Sequence, residues 1–90
     1  MAEGAGRSVT GAATATVDSG DGWLQSCSIT AAADTATAVF RTGGSGGTII
    51  AKLSAVANTS AERQFMSGIP YSNLHVTITG TSPVFDAELG

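Results

Sequence analysis

The chain has 90 residues, of which 49 are Ala, Gly, Ser or Thr, and its formal net charge is −3. Ninety residues make one domain, and the four Lys and Arg residues are too scattered to drive nucleic-acid binding by counterion release. No stretch approaches the roughly 20 apolar residues that cross a bilayer, and residues 1–20 lack the apolar run of a signal peptide. We therefore expect synthesis in a cytosol and no binding to nucleic acid or membrane.

The hydrophobic core that this composition can build is small. Small domains usually compensate for such a core with disulfides, a metal ion or oligomerisation. Cys27 is the single cysteine, which excludes a disulfide within one chain, and the residues that could bind a metal are few and scattered. We therefore predict no metal and no cofactor, and we expect oligomerisation or docking on a larger partner to stabilise the chain.

Residues 1–20 contain few large apolar side chains, since only Val9 and Val17 could anchor them. The threonines between these two valines favour extended backbone. The pattern predicts an extended N-terminal arm over residues 1–20, with a strand at about 8–17. The alternative is a frayed terminus.

We expect the arm to be mobile in the free protein and ordered on a partner. It would add a strand to a neighbour's sheet or lie across a subunit seam, because main-chain hydrogen bonds carry such contacts with small side chains. The candidate partner-binding residues are those of the arm and two aromatic residues beyond it, namely Val9, Thr10, Ala12, Ala13, Thr14, Trp23 and Tyr71.

The middle of the chain alternates between strand and turn patterns. Asp and Gly residues over 18–22 predict a turn, and the imperfect alternation over 22–30 favours a strand. After a short break, residues 35–41 alternate well. A glycine-rich loop then connects these residues to a second alternating run at 48–54. The two runs and the loop together predict a hairpin with a mobile tip.

The last third of the chain begins with residues 55–61, whose Ala content could form one helical turn. A short strand at 62–66 and a turn at 67–71 follow. The clearest strand lies at 73–79, and residues 84–89 form the last one. The predicted core contains large apolar residues of three strands, namely Phe40, Ile49, Leu53, Leu74, Val76 and Ile78.

Six or seven short strands separated by turn signals are typical of a small antiparallel β-sandwich or barrel. The sequence therefore predicts an all-β protein. The β-sandwich domain would occupy residues 21–90, preceded by the extended arm of residues 1–20.

The residues that could carry catalysis do not form a set. His75 alternates with Asn73 and Thr77, which give neither a catalytic triad nor a metal site, so we interpret it as a solvent-facing or interface histidine. Cys27 has apolar neighbours and is predicted to be an inert buried thiol. We therefore predict that the protein is not an enzyme.

The acidic and glycine-rich segments also have simple interpretations. Asp18 and Asp21 lack the full spacing of a calcium loop and are expected to form a plain turn. The glycine run over 43–47 lacks the lysine and helix of a phosphate loop. Asp86 and Glu88 share one face of the last strand, which is either solvated or paired with basic residues of a partner.

Three segments carry a resemblance to a known group of proteins. They are GIPYSNLHVTITGT at 68–81, TATAVFRT at 35–42 and GTIIAKL at 47–53. Their order resembles that of small β-rich virion proteins of tailed bacteriophages, which share a strand, a glycine hairpin, a second strand and a late Val-Thr-Ile-Thr-Gly-Thr type of run. The resemblance covers about residues 25–88 and does not include Trp23 or the arm.

This resemblance implies a structural virion role, such as a capsid decoration (cement) protein that binds and stabilises a phage head lattice. The implied partner is the major capsid protein or another virion protein. The chain would be a homo-oligomer, with a trimer favoured over a dimer, and would be located in the virion after synthesis in the host cytoplasm. Two alternatives are a neck, tail or fibre component, and a ligand- or carbohydrate-binding β-sandwich module that uses Trp23 and Tyr71.

Overall fold

The structure is a computed structural model that describes residues 7–90. This part of the chain contains six strands and no helix. The strands are β1 (Arg7–Gly11), β2 (Ala15–Thr30), β3 (Ala36–Thr42), β4 (Thr48–Ala55), β5 (Ser60–Thr79) and β6 (Val84–Leu89). All pairs are antiparallel and form one sheet in the order β1-β6-β2-β5-β3-β4. The prediction of a small antiparallel all-β fold is confirmed.

The sheet folds over on itself into two layers. The rings of Phe40 on β3 and Phe85 on β6 meet edge to face, with centroids 6.2 Å apart. In a flat sheet these strands would be separated by three steps of about 4.8 Å each. The contact is therefore possible only because the sheet curls, and the two rings join the layers across the core.

The strands β2 and β5 pass from one layer to the other. The first layer contains β1, β6, residues 26–30 of β2 and residues 60–64 of β5. The second contains residues 15–24 of β2, residues 69–79 of β5, β3 and β4. Between the two parts of the β2–β5 pair, the register shifts from Leu24↔Ile69 to Ser26↔Gln64. This long bulge in β5 marks the corner between the layers.

Two of the predicted turns lie inside these long strands. The segments at 18–22 and 67–71 are parts of β2 and β5, which are longer than the short strands that the sequence predicts. Register shifts occur on both sides of Asp18. Residues typical of turns are accommodated here as β-bulges, which bend a strand without ending it.

The core contains most of the residues that the sequence assigns to it. Phe40, Leu74 and Val76 are completely buried, Leu53 is buried, and Ile78 is half-buried against the same cluster. The prediction for Ile49 is wrong, because its side chain is 51% exposed. Between Phe40↔Ala51 and Arg41↔Ile49 the register shifts by one residue, which turns Ile49 to the opposite face of the sheet.

The predicted arm and the predicted helical turn are also corrected. Residues 7–11 form β1, which pairs with β6, and residues 15–20 belong to β2. Thus residues 7–20 are part of the sheet rather than a separate arm, because backbone pairing needs no large side chains. Residues 1–6 of the predicted arm lie outside the described residues. Residues 55–61 form no helix, and the chain turns there through Asn58, which has a φ of 62°.

Candidate partner-binding site

A shallow pocket of about 620 Å³ opens where β2 and β5 approach the corner between the layers. Residues of β2, β3 and β5 line it, together with the residue that follows β6. Its walls are formed by Asp21, Gly22, Trp23, Thr42, Pro70, Tyr71, Ser72 and Gly90. Trp23 and Tyr71, two of the predicted partner-binding residues, thus lie in the same pocket.

Trp23 presents much of its indole to solvent. Its side chain is 48% exposed and lies opposite Pro70 in the β2–β5 register. Its backbone is fixed, since Trp23 N donates to Gly90 O at 3.2 Å and Gly90 N donates to Trp23 O at 2.8 Å. The arrangement is a large exposed aromatic surface on a rigid backbone.

Tyr71 contributes a wall of the pocket rather than an exposed surface. Its side chain is buried, and its hydroxyl donates a hydrogen bond of 2.6 Å to Asp18 Oδ2. Gly22 lies beside it, where a Cβ atom would come within 2.6 Å of the hydroxyl oxygen. Glycine at this position therefore permits the close approach of Tyr71 to the backbone of β2.

The bulge at 65–68 carries a second exposed apolar group, on the strand that pairs with the Trp23 segment of β2. Met66 is fully exposed, whereas Phe65 is half-buried against the core. Gly68 closes the bulge with a φ of 74°, and a Cβ atom there would lie 3.2 Å from the Cβ of Trp23. We define the corner surface as Trp23, Met66 and the exposed Pro70. The sequence predicts Met66 within an ordinary short strand at 62–66, and the adjacent Ser67-Gly68 pair is the signal of a bulge in this segment.

The predicted contact residues of the arm lie elsewhere. Val9 packs partly against the core, and Thr10 Oγ1 donates to Asp86 Oδ1 at 3.2 Å. Ala12 and Ala13 are exposed in the loop between β1 and β2. Thr14 Oγ1 accepts a hydrogen bond from Ile78 N at 2.9 Å and donates to Ile78 O at 3.3 Å. None of these residues lines the pocket, so the structure divides the predicted set between two places.

His75 points away from the core on the second layer. It is half-buried and lies opposite Arg41 and Thr16, and its buried Nδ1 has no hydrogen-bond partner within residues 7–90. Arg41, which lies opposite, donates from Nη1 to Thr77 Oγ1 at 3.1 Å.

Cys27 is a buried free thiol on β2. Burial raises the pKa of Cys27 to about 11, and the positive charge of Arg63 opposes this effect only partly. A thiol with this pKa is protonated at neutral pH, and the protonated thiol is the unreactive form.

The acidic and glycine-rich segments serve local structure. Asp18 Oδ1 accepts a hydrogen bond of 3.1 Å from Gly20 N, which is a turn-like contact within β2. Over residues 7–90, no cluster of three or more His, Cys, Asp or Glu residues could hold a metal ion. In the glycine loop, Gly43 N donates to Ser72 O at 2.8 Å and Gly44 N to Asn73 O at 3.0 Å. This loop, predicted as a mobile tip, is held against β5.

The described part of the chain has no helix with the length and hydropathy to span a membrane. No family model matches the chain, and no curated protein and no solved structure matches it either.

Proposed function

We propose that this chain is a non-enzymatic structural protein of a phage particle, a capsid decoration protein that binds the head lattice. Its contact with the major capsid protein, or with another virion protein, is made by the corner surface. The observation that carries this proposal is the exposure of Trp23 and Met66, which lie on the two strands that pass through the corner between the layers.

A tryptophan in this position is suited to binding another protein. Aromatic residues contribute much of the affinity of protein interfaces, and Trp is enriched among the residues that dominate it. The double hydrogen bond between the backbones of Trp23 and Gly90 fixes the strand that carries the indole. Binding therefore costs little backbone entropy.

The edges of the sheet also favour an assembled state. β1 and β4 are the end strands of the sheet order, and β4 carries the exposed Ile49. Exposed edges with apolar side chains are sites where another chain adds a strand. A homo-oligomer, for which we propose a trimer before a dimer, covers such edges in the particle.

The sequence resemblance supports the same setting. The segments at 35–42, 47–53 and 68–81 that resemble small virion proteins form β3, the start of β4 and most of the second half of β5. These three segments thus lie in the second layer, and Trp23 lies outside the resemblance. The protein would be made in the host cytoplasm and located in the virion.

Binding to phage particles that lack the protein tests this role of the corner surface. We expect Trp23→Ala to bind at least tenfold more weakly than the unchanged protein, because it removes the exposed indole. Val84→Ala is the matched control, since Val84 is 44% exposed on β6 and belongs to the first layer. Equal binding of Trp23→Ala and Val84→Ala would contradict the proposed contact.

The pocket itself favours a second candidate function, a carbohydrate-binding β-sandwich. A sugar ring could stack on the Trp23 indole while the side chains of Asp21 and Ser72 offer hydrogen bonds to its hydroxyl groups. Quenching or enhancement of Trp23 fluorescence by defined oligosaccharides tests this function. A saturable fluorescence response without attachment to particles would favour the carbohydrate-binding module. Attachment to each particle in only a few copies would instead favour a neck, tail or fibre component.

A further inference from the structure

The outer face of the first layer is acidic. Residues directly opposite in an antiparallel pair point to the same side of the sheet. The registers place Ser28 between Glu62 and Asp86. They also place Glu88 beside Ser26. Together with Thr10, which lies opposite Asp86, these residues form what we call the acidic face, made of Thr10, Ser26, Ser28, Glu62, Asp86 and Glu88.

Two carboxylates of the acidic face accept hydrogen bonds from hydroxyl groups. Asp86 accepts a hydrogen bond from the hydroxyl of Thr10, and Glu88 accepts one from the hydroxyl of Ser8. Both partners are neutral. Among the described side chains that point to this face, there is no Lys, Arg or His.

The outer face of the second layer is basic. Arg41 lies opposite His75, Lys52 lies opposite Val39, and Val39 lies opposite Thr77. We define the basic face as Thr37, Val39, Arg41, Lys52, His75 and Thr77. Arg41 donates to the hydroxyl of Thr77, which is neutral. The registers of β3 with β4 and β5 contain no carboxylate, and the two aspartates of this layer, Asp18 and Asp21, lie on β2.

Arg63 lies on neither face. Arg63 is opposite Cys27, whose side chain is in the core, so Arg63 projects from the inner side of the first layer. Because the two layers meet through Phe40 and Phe85, their outer faces point in opposite directions. Among the side chains that the structure describes, the outer face of the first layer therefore carries three carboxylates, and the outer face formed by β3, β4 and β5 in the second layer carries Arg41 and Lys52.

We propose that the acidic face of one copy of this chain binds the basic face of the next. A second copy is the occupant that the structure favours, because each face finds its electrostatic complement on the reverse side of the same molecule. The molecule measures 39 × 25 × 18 Å. A broad side of these dimensions can supply the roughly 800 Å² per partner of a standard protein interface.

This contact uses two different surfaces, so it repeats from copy to copy. A heterologous contact of this kind closes into a ring or extends into a column. It does not involve Trp23 or Met66, so it is independent of the proposed attachment to a particle. The charge pairs between the acidic face and the basic face lie on exposed surfaces, so salt screens them. The association therefore weakens as ionic strength rises.

Sedimentation velocity of the full chain over a concentration series is the first test. We expect self-association at about 50 mM salt that is at least tenfold weaker at about 500 mM, where the screening length is much shorter. A chain that stays monomeric at all concentrations in low salt overturns the proposal. Association that is unaffected by salt overturns it as well, because it indicates an apolar contact.

Charge reversal on each face provides the second test. The double variant Glu62→Lys/Glu88→Lys has two basic faces, and Arg41→Glu/Lys52→Glu has two acidic faces. Each should remain monomeric alone because like charges meet. An equimolar mixture should associate in alternating order. A mixture that does not associate, or a single variant that associates like the unchanged chain, contradicts the proposed contact.

Arg63→Glu is the matched control, since it makes the same charge change as Lys52→Glu outside both faces. It should self-associate like the unchanged chain, and loss of association in this variant would show that net charge, not the basic face, controls assembly. Far-ultraviolet circular dichroism confirms the fold of each variant.

If a double variant fails to fold, the single variants Glu88→Gln and Lys52→Gln, which each remove one charge, provide the test. Each should weaken low-salt association severalfold. Unchanged association would contradict the proposal.

Discussion

Thr81 donates two hydrogen bonds to the carboxylate of Asp34. Thr81 N lies 2.7 Å from Oδ1, and Thr81 Oγ1 lies 2.9 Å from Oδ2. These bonds join the loop before β3 to the turn between β5 and β6. Because both are made to the charged form, they lower the pKa of Asp34 below its usual 3.8.

The first prediction concerns acid stability. Asp34 is more acidic in the folded than in the unfolded chain, so its stabilising contribution is present above the unfolded pKa of about 3.9 and is lost as pH falls through the folded pKa. Asp34→Asn should therefore be less stable than the unchanged chain at pH 7, and the difference should shrink towards low pH. Urea unfolding between neutral and acid pH measures this.

Thr81→Val is the partial control for this prediction, because it removes the side-chain bond and keeps the bond from the backbone N–H. It should have an intermediate effect. A difference between Asp34→Asn and the unchanged chain that stays constant with pH would contradict the role assigned to the Asp34 charge.

The second prediction concerns the contact between the layers. Phe85→Ala removes the ring that packs against Phe40, and we expect a loss of about 3–5 kcal/mol in the free energy of unfolding. Ile49→Ala should change it by no more than about 0.5 kcal/mol, as is usual for an exposed side chain. Denaturant unfolding of both variants measures the difference. Equal losses would mean that the register shift in the β3–β4 pair is wrongly placed.

The third prediction concerns alkaline pH. The folded chain holds a proton on Cys27 up to a pKa of about 11, whereas the thiol of the unfolded chain loses it near its usual value of about 8.5. The folded state therefore binds more protons between these values, and stability should fall as pH rises through this interval. Cys27→Ala should lack this part of the pH dependence. An identical alkaline slope in both proteins would contradict the burial of the thiol.

The fourth prediction concerns β1. Removal of residues 1–11 deletes β1 and the contact of Val9 with the core, and we expect a loss of about 1–3 kcal/mol from the lost apolar burial. Val9→Ala should reproduce part of it. A truncated chain that unfolds at the same denaturant concentration as the complete one would instead support an N-terminal arm that does not contribute to the folded domain.

The sequence predicts the strands of this fold well wherever apolar and polar residues alternate without interruption. Residues 73–79 show this, since Leu74 and Val76 are buried and Asn73 is exposed as the alternation requires. The prediction fails at Ile49 because a one-residue bulge reverses the alternation. Nothing in the local pattern of residues 48–54 marks that bulge, which depends on the pairing of β4 with β3.

The N-terminal residues and the corner surface could be predicted only in part. Residues 7–20 lack large side chains, yet they join the sheet through backbone pairing that a side-chain pattern does not record. Trp23 and Tyr71 could be identified as the available aromatics, but their meeting in one pocket results from a register between β2 and β5. Met66 becomes exposed because β5 bulges, and this too depends on pairing over a long sequence distance.

We propose that this chain is a structural component of a phage head, and its copy number in purified particles tests this role most directly. Quantitative mass spectrometry against the major capsid protein gives this number. We expect a copy number of the same order as that of the major capsid protein, as binding over the whole lattice requires. Absence of the chain from purified particles would contradict it.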